Sequence, residues 1–123
     1  MPDHANQVGV LCQRVIDLLG LTMKEGQSIL LGESNIAHMV SNHPADYALY
    51  GEYIPLILSA PDYVALNAKD GSIEYVKEVQ VNSVFVKVAV RVSARGQLFA
   101  RSVYRLNTNR VLNFIEKGTL KRY

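Results

Sequence analysis

The chain has 123 residues, nearly half of them apolar and a fifth charged, the profile of a globular domain that buries a core without staples, and not of a disordered or fibrous chain. One cysteine, Cys12, excludes an internal disulfide framework and fits a reducing, cytoplasmic compartment. The net charge of +2 conceals a split, because residues 1–82 carry four Lys/Arg against ten Asp/Glu and residues 83–123 carry nine against one, an asymmetry that points to a polyanionic partner.

The N-terminal stretch lacks the basic lead of a signal peptide, and Met1 is read as the start of the protein. Residues 5–19 are predicted to form an amphipathic helix, with Val8, Leu11, Val15, Leu18 and Leu19 at helical spacing and Gly20 as its stop. Cys12 lies on that stripe and is read as a packed thiol, since no base accompanies it. Ser28–Leu31 is a short strand ended by Gly32. Ser34 is the expected N-cap of a second helix reaching Asn42, with Ile36, Met39 and Val40 on its apolar face. Pro44 opens a further turn. Tyr47, Tyr50 and Tyr53 follow at three-residue spacing, broken by Gly51 and Pro55. The apolar run 54–60 is too short to span a bilayer, so no membrane association is expected.

From Tyr63 the period changes to two. Tyr63–Leu66 is a strand, Lys69-Asp70-Gly71 a turn and Ser72–Val79 a second strand. Ser83–Val92 is the clearest strand, with valines at every even position from 84 to 92 and Phe85, Lys87, Ala89 and Arg91 on the other face. Ser93–Gly96 is a hairpin connection and Gln97–Leu106 its return strand. Asn107 or Thr108 caps a last helix, Asn109–Lys117, with Gly118 past its end. Helices segregated from a β-meander predict an α+β fold. N-terminal helices pack on a four-stranded antiparallel sheet followed by a C-terminal helix, all in one domain over 1–123.

If Val92 pairs with Gln97, Lys87 faces Ser102 and Phe85 faces Tyr104, with Arg91 on the same side. Arg101 then points to the valine side, unless a one-residue slip or a bulge turns it round. Either way the sheet presents a basic face with hydroxyls, suited to holding phosphate. His38 and His43 are the candidate acid–base groups, because imidazole titrates near neutrality. His4 sits in the terminus and is read as surface. At the H-x4-H spacing the two helical histidines stand about 140° apart on a helix. That is unlike the two-histidine spacing of a zinc helix, and no carboxylate cluster completes a metal site. Neither metal nor cofactor is expected.

Several segments occur in a family's order. Ile36–Pro44, containing His38 and His43-Pro44, resembles the H-x4-H-P helix of the phage barnase–EndoU–colicin–RelE-like nucleases. Tyr53–Val64 is similar to that family's helix and P-D-y-i strand entry. Ile73–Lys77 resembles its aromatic–lysine strand, Val84–Val92 its valine-rich strand, and Arg101-Ser102-Val103-Tyr104 its hydroxyl–x–aromatic strand, with Ser at 102 where Thr is commoner. The resemblance covers about 28–118. It implies a metal-independent endoribonuclease, toxin- or phage-effector-like, acting on RNA such as tRNA through 2′-OH attack that leaves a 2′,3′-cyclic phosphate. An immunity or antitoxin protein is the implied partner. By the same resemblance His38 is the first choice of acid or base and His43 the second. Lys87 and Arg101 stabilise charge, Ser102 and Tyr104 position the phosphate or a base, and Tyr75, Lys77, Arg91 and Arg105 contact RNA. The alternatives are a non-catalytic nucleic-acid-binding module and a protein-interaction domain of a phage or mobile element.

Overall fold

A computed structural model describes residues 5–79 and 84–123. His4 and Ser83 lie outside the described residues. The elements run β1 (Ala5–Val10), α1 (Gln13–Leu19), β2 (Ser28–Gly32), α2 (Glu33–Asn42), α3 (Pro44–Tyr50), a single 3₁₀ turn (Gly51–Tyr53), α4 (Ile54–Ser59), β3 (Tyr63–Leu66), β4 (Ile73–Val79), β5 (Val84–Val92), β6 (Leu98–Leu106), α5 (Thr108–Glu116) and β7 (Lys121–Arg122).

The expected α+β class is observed, but the sheet has seven strands among the described residues, not four, in the order β1-β2-β6-β5-β4-β3-β7. Three additions explain the difference. The first half of the expected N-terminal helix is strand β1, which pairs antiparallel with β2. β2 in turn pairs parallel with β6, Ile29 opposite Leu98 and Leu30 opposite Phe99. The chain end adds β7 beside β3. Helix α1 starts only at Gln13, after Cys12, and closes on Gly20 in the left-handed conformation (φ 66°). The Cys12 thiol is free and part-buried, 3.5 Å from the Tyr123 hydroxyl.

Alternation along β5 separates the two faces of the sheet. Val86, Val88 and Val90 are fully buried, together with Ile73 and Tyr75 from β4 and Leu98, Ala100 and Val103 from β6. They pack against Leu11, Val15, Met39, Tyr50, Ile54 and Ile57 from the preceding helices and their connections. On the other face a smaller cluster of Ala65, Val76, Val111 and Leu120, with Phe85 and Phe114 against it, fastens α5 over one end of the sheet. Among the described residues no further apolar cluster covers the rest of that second face. Asn107 caps α5 by accepting from the backbone N–H groups of Asn109 and Arg110, as its residue type predicts. Helix α2 begins one residue after β2, with Gly32 rather than Ser34 at its N-cap. The Gly32 N–H donates to Asn35 Oδ1 at 2.8 Å. Among the described residues no helix is long and apolar enough to cross a membrane.

Candidate nucleic-acid cleft

The β5–β6 register decides what the open face carries. Val92 pairs with Leu98, one residue later than the sequence suggests, and Val90 pairs with Ala100. The register then shifts, so that Ala89 pairs with Ser102, Lys87 with Tyr104 and Phe85 with Leu106. Arg101 is the extra residue of this β-bulge. A bulge puts two consecutive residues opposite one and turns both toward the same side. Arg101 and Ser102 therefore reach the open face together, while Ala100 and Val103 stay in the core.

Over this face lies a cleft of about 300 Å³ lined by His38, Lys87, Arg91, Arg101, Ser102 and Tyr104, with Asn67, Asp70, Ser72, Glu74 and Ala89 completing it. Five of the six residues proposed for catalysis from the sequence thus meet in one depression. His38 arrives from α2, where Asn42 holds it: the Asn42 Nδ2 lies 3.0 Å from His38 Nδ1 and 3.0 Å from its carbonyl oxygen. Lys87 stands at the centre. Its ammonium donates to Glu74 Oε2 at 3.1 Å, with both side chains only 15% exposed, and lies 4.9 Å from the centroid of the Tyr104 ring. Burial works against the charge on Lys87, but Tyr104 and the Glu74 carboxylate outweigh it and raise its pKa above the ordinary value. Lys87 is a permanent cation at neutral pH. Arg91 pairs with Asp70 at 3.6 Å. The Asp70 carboxyl is held below the usual range first by the Ser72 N–H, then by the Ser72 hydroxyl and by the neighbouring cations.

The remaining expected residues are placed elsewhere. His43 sits at the junction of α2 and α3 and stacks on Tyr104, with ring centroids 4.7 Å apart. It is not among the residues that line the cleft. Tyr75 is not placed to contact RNA. It pairs with Val88 on the valine face and is 1% exposed in the main core, because its strand phase follows Ile73. Burial, with Cys12 and Tyr123 nearby, raises its phenol pKa beyond the usual range. Lys77 shares that phase and donates to the Ala60 carbonyl, near Asp62. Arg105 is tied to α3, its backbone N–H and its Nε both donating to the Asp46 carboxylate. Glu74 and Asn42 escaped the sequence reading. Glu74 was legible only as the polar phase of β4. Its importance follows from the pairing that sets it diagonally across from Lys87.

Cations, hydroxyls and an imidazole converging on an uncovered sheet face are what a protein that handles phosphodiesters requires. The sequence model of the phage-Barnase-EndoU-ColicinE5/D-RelE like nuclease 3 family matches residues 6–113. The chain belongs to this family, and its substrate class is nucleic acid. The match begins in β1, well before residue 28, where the segments that resemble the family start. No curated protein and no solved structure matches the chain.

Proposed function

We propose that the protein is an endoribonuclease that cleaves RNA without a metal ion, with tRNA among its candidate substrates. The observation that carries this reading is the cleft itself, where His38 lines the same depression as Lys87, Arg91, Arg101, Ser102 and Tyr104. In the proposed reaction a ribose 2′-oxygen attacks the adjacent phosphorus. The bond from phosphorus to the 5′-oxygen breaks, leaving a 2′,3′-cyclic phosphate and a 5′-hydroxyl. One group takes the 2′-OH proton and another delivers a proton to the departing oxygen. His38 and Glu74 are the cleft groups suited to these two transfers.

Lys87 and Arg101 stabilise the charge that builds on the phosphorane oxygens, the term that dominates most such catalysis. Ser102 and Tyr104 orient the phosphate. Substrate phosphate competes with Glu74 for the Lys87 ammonium, which leaves the carboxylate available as a proton acceptor when substrate binds. Side-chain cations supply the charge stabilisation in this reading.

The test is incubation of the purified protein with total tRNA in EDTA, run on a denaturing gel beside His38→Ala. Fragments ending in a 2′,3′-cyclic phosphate, lost in the variant, are expected. Cleavage that requires added divalent metal, or that persists undiminished in His38→Ala, contradicts the mechanism. Salt-dependent RNA binding with no product identifies a non-catalytic binding module instead.

A further inference from the structure

Beyond Lys87 and Tyr104 the cleft continues into a second hollow of about 580 Å³, between the end of β6 and α5. The two depressions share Asn67, Glu74, Lys87 and Tyr104. A chain-like ligand whose phosphate sits on Lys87 therefore has a continuous path from one into the other.

The hollow differs in chemistry from the cleft. Val111, Phe114 and Leu120 give it an apolar wall, and this wall is firm, because Val111 and Leu120 are buried and Phe114 packs against them. Beside the wall the Arg110 guanidinium lies 5.7 Å from the Phe114 ring centroid. Asn107 and Asn67 add amides to the lining. A phosphate needs no apolar wall. A flat ring with polar edges needs a wall of this kind, with planar donors and acceptors at its border. The size also fits, since small-molecule sites run from about 300 to 1,000 Å³.

We propose that this hollow is a nucleobase subsite, which takes the base of a nucleotide flanking the phosphate held in the cleft and sets it against Phe114 and Arg110. The proposal rests on the nuclease reading and adds to it where the substrate binds outside the reacting phosphate. Stacking on an aromatic or guanidinium plane tolerates any base. A base paired within a duplex cannot leave its stack to enter without further cost. The subsite thus selects unpaired nucleotides, in loops or single strands, more than it selects sequence.

The deciding measurement is a heteronuclear NMR titration with a nucleoside monophosphate such as AMP, with inorganic phosphate as the control. It is run on the wild-type protein, Arg110→Ala and Phe114→Leu. AMP is expected to move the amide signals of residues 107–114, phosphate to move only those around the cleft, and each variant to weaken AMP binding about tenfold. Arg110 is exposed, so its replacement tests the subsite without disturbing the core. With a single-stranded oligoribonucleotide, both variants should raise KM by about tenfold and leave kcat within about twofold. AMP shifts confined to the cleft, no AMP shifts at all, or unchanged AMP affinity in both variants would overturn the subsite. AMP shifts along α5 without any RNA cleavage would uphold the subsite and remove the nuclease reading.

Discussion

His43 lies face to face with Tyr104, ring centroids 4.7 Å apart and planes 22° apart. Tyr104 in turn stands beside Lys87, and Lys87 beside Glu74, so a residue outside the cleft lining reaches its centre through one ring. This separates two roles that the sequence could not. If His43 transfers a proton, no apolar ring can replace it; if it props Tyr104, phenylalanine can. We expect His43→Phe to retain RNA cleavage within about threefold and His43→Ala to lose about tenfold, the scale of one aromatic pair. Equal losses in the two variants, measured as kcat/KM on tRNA, would assign His43 a chemical role.

Lys87→Met should lower turnover by about 100-fold or more, as removal of one charge-stabilising group does elsewhere. The same variant tests the alkaline limb of stability. The folded-state pKa of Lys87 lies above its ordinary value of 10.5. Its stabilising contribution is therefore complete below the unfolded-state value and lost as the pH rises through the folded one. Above about pH 10.5, the melting temperature of the wild type should fall with pH more steeply than that of Lys87→Met.

Arg101 can be removed without disturbing the ladder. Deleting it leaves Ala100 opposite Val90 and Ser102 opposite Ala89, the pairs already present on either side of the bulge. Both the deletion and Arg101→Ala should fold. The substitution should lie within about 0.5 kcal/mol of the wild type, as expected at an exposed position, and both should be deficient in RNA cleavage and binding. Urea denaturation and a gel assay on the same preparations check the two halves of this expectation. Full activity in the deletion would show that the guanidinium contributes nothing to the cleft.

Gly9 lies against α4, where an added Cβ would meet Leu58 Cβ at 3.0 Å and Leu58 Cδ1 at 3.1 Å. The Cβ of Leu58 is fixed by the helix backbone and cannot swing aside. Gly9→Ala should destabilise the protein by about 1–3 kcal/mol, the cost of overpacking, read from the urea midpoint.

At the opposite end, Asn107→Ala removes the cap of α5 and should cost about 1 kcal/mol. Faster amide hydrogen exchange across residues 108–111 than in the wild type would locate the loss in the first turn of the helix.

The parts of the fold visible in the sequence are those written in local periodicity. The valine phase of β5, the hairpin through Gly96 and the capped C-terminal helix all stand where the residues imply. β1 lies where the residues suggest a helix, because Val8 and Leu11 fit a helical stripe that Val15 and Leu18 continue, whereas residues 5–10 answer to a partner strand some twenty residues away. Tertiary pairing overrides local preference in this way. The parallel contact between β2 and β6 has no local signature at all. Within the site, His38, Lys87 and Ser102 could be chosen by residue type and phase. Tyr75 could have been excluded, since it shares the phase of Ile73 and not that of Glu74. At Arg101 the residues allow either a register slip or a bulge, and the ladder shows the bulge.

The β2–β6 contact also has a consequence in time. Ser28 and Gln97, joined by a side-chain hydrogen bond beside that contact, are separated by 69 residues. Helix α2 hangs directly from β2, so the imidazole of His38 is carried to Arg101 and Ser102 only when this long-range pairing closes. Contacts of such separation form late and slowly. A chain emerging from the ribosome presents His38 well before Arg91 and Arg101. Until those residues have emerged and paired, the depression that His38 shares with them does not exist.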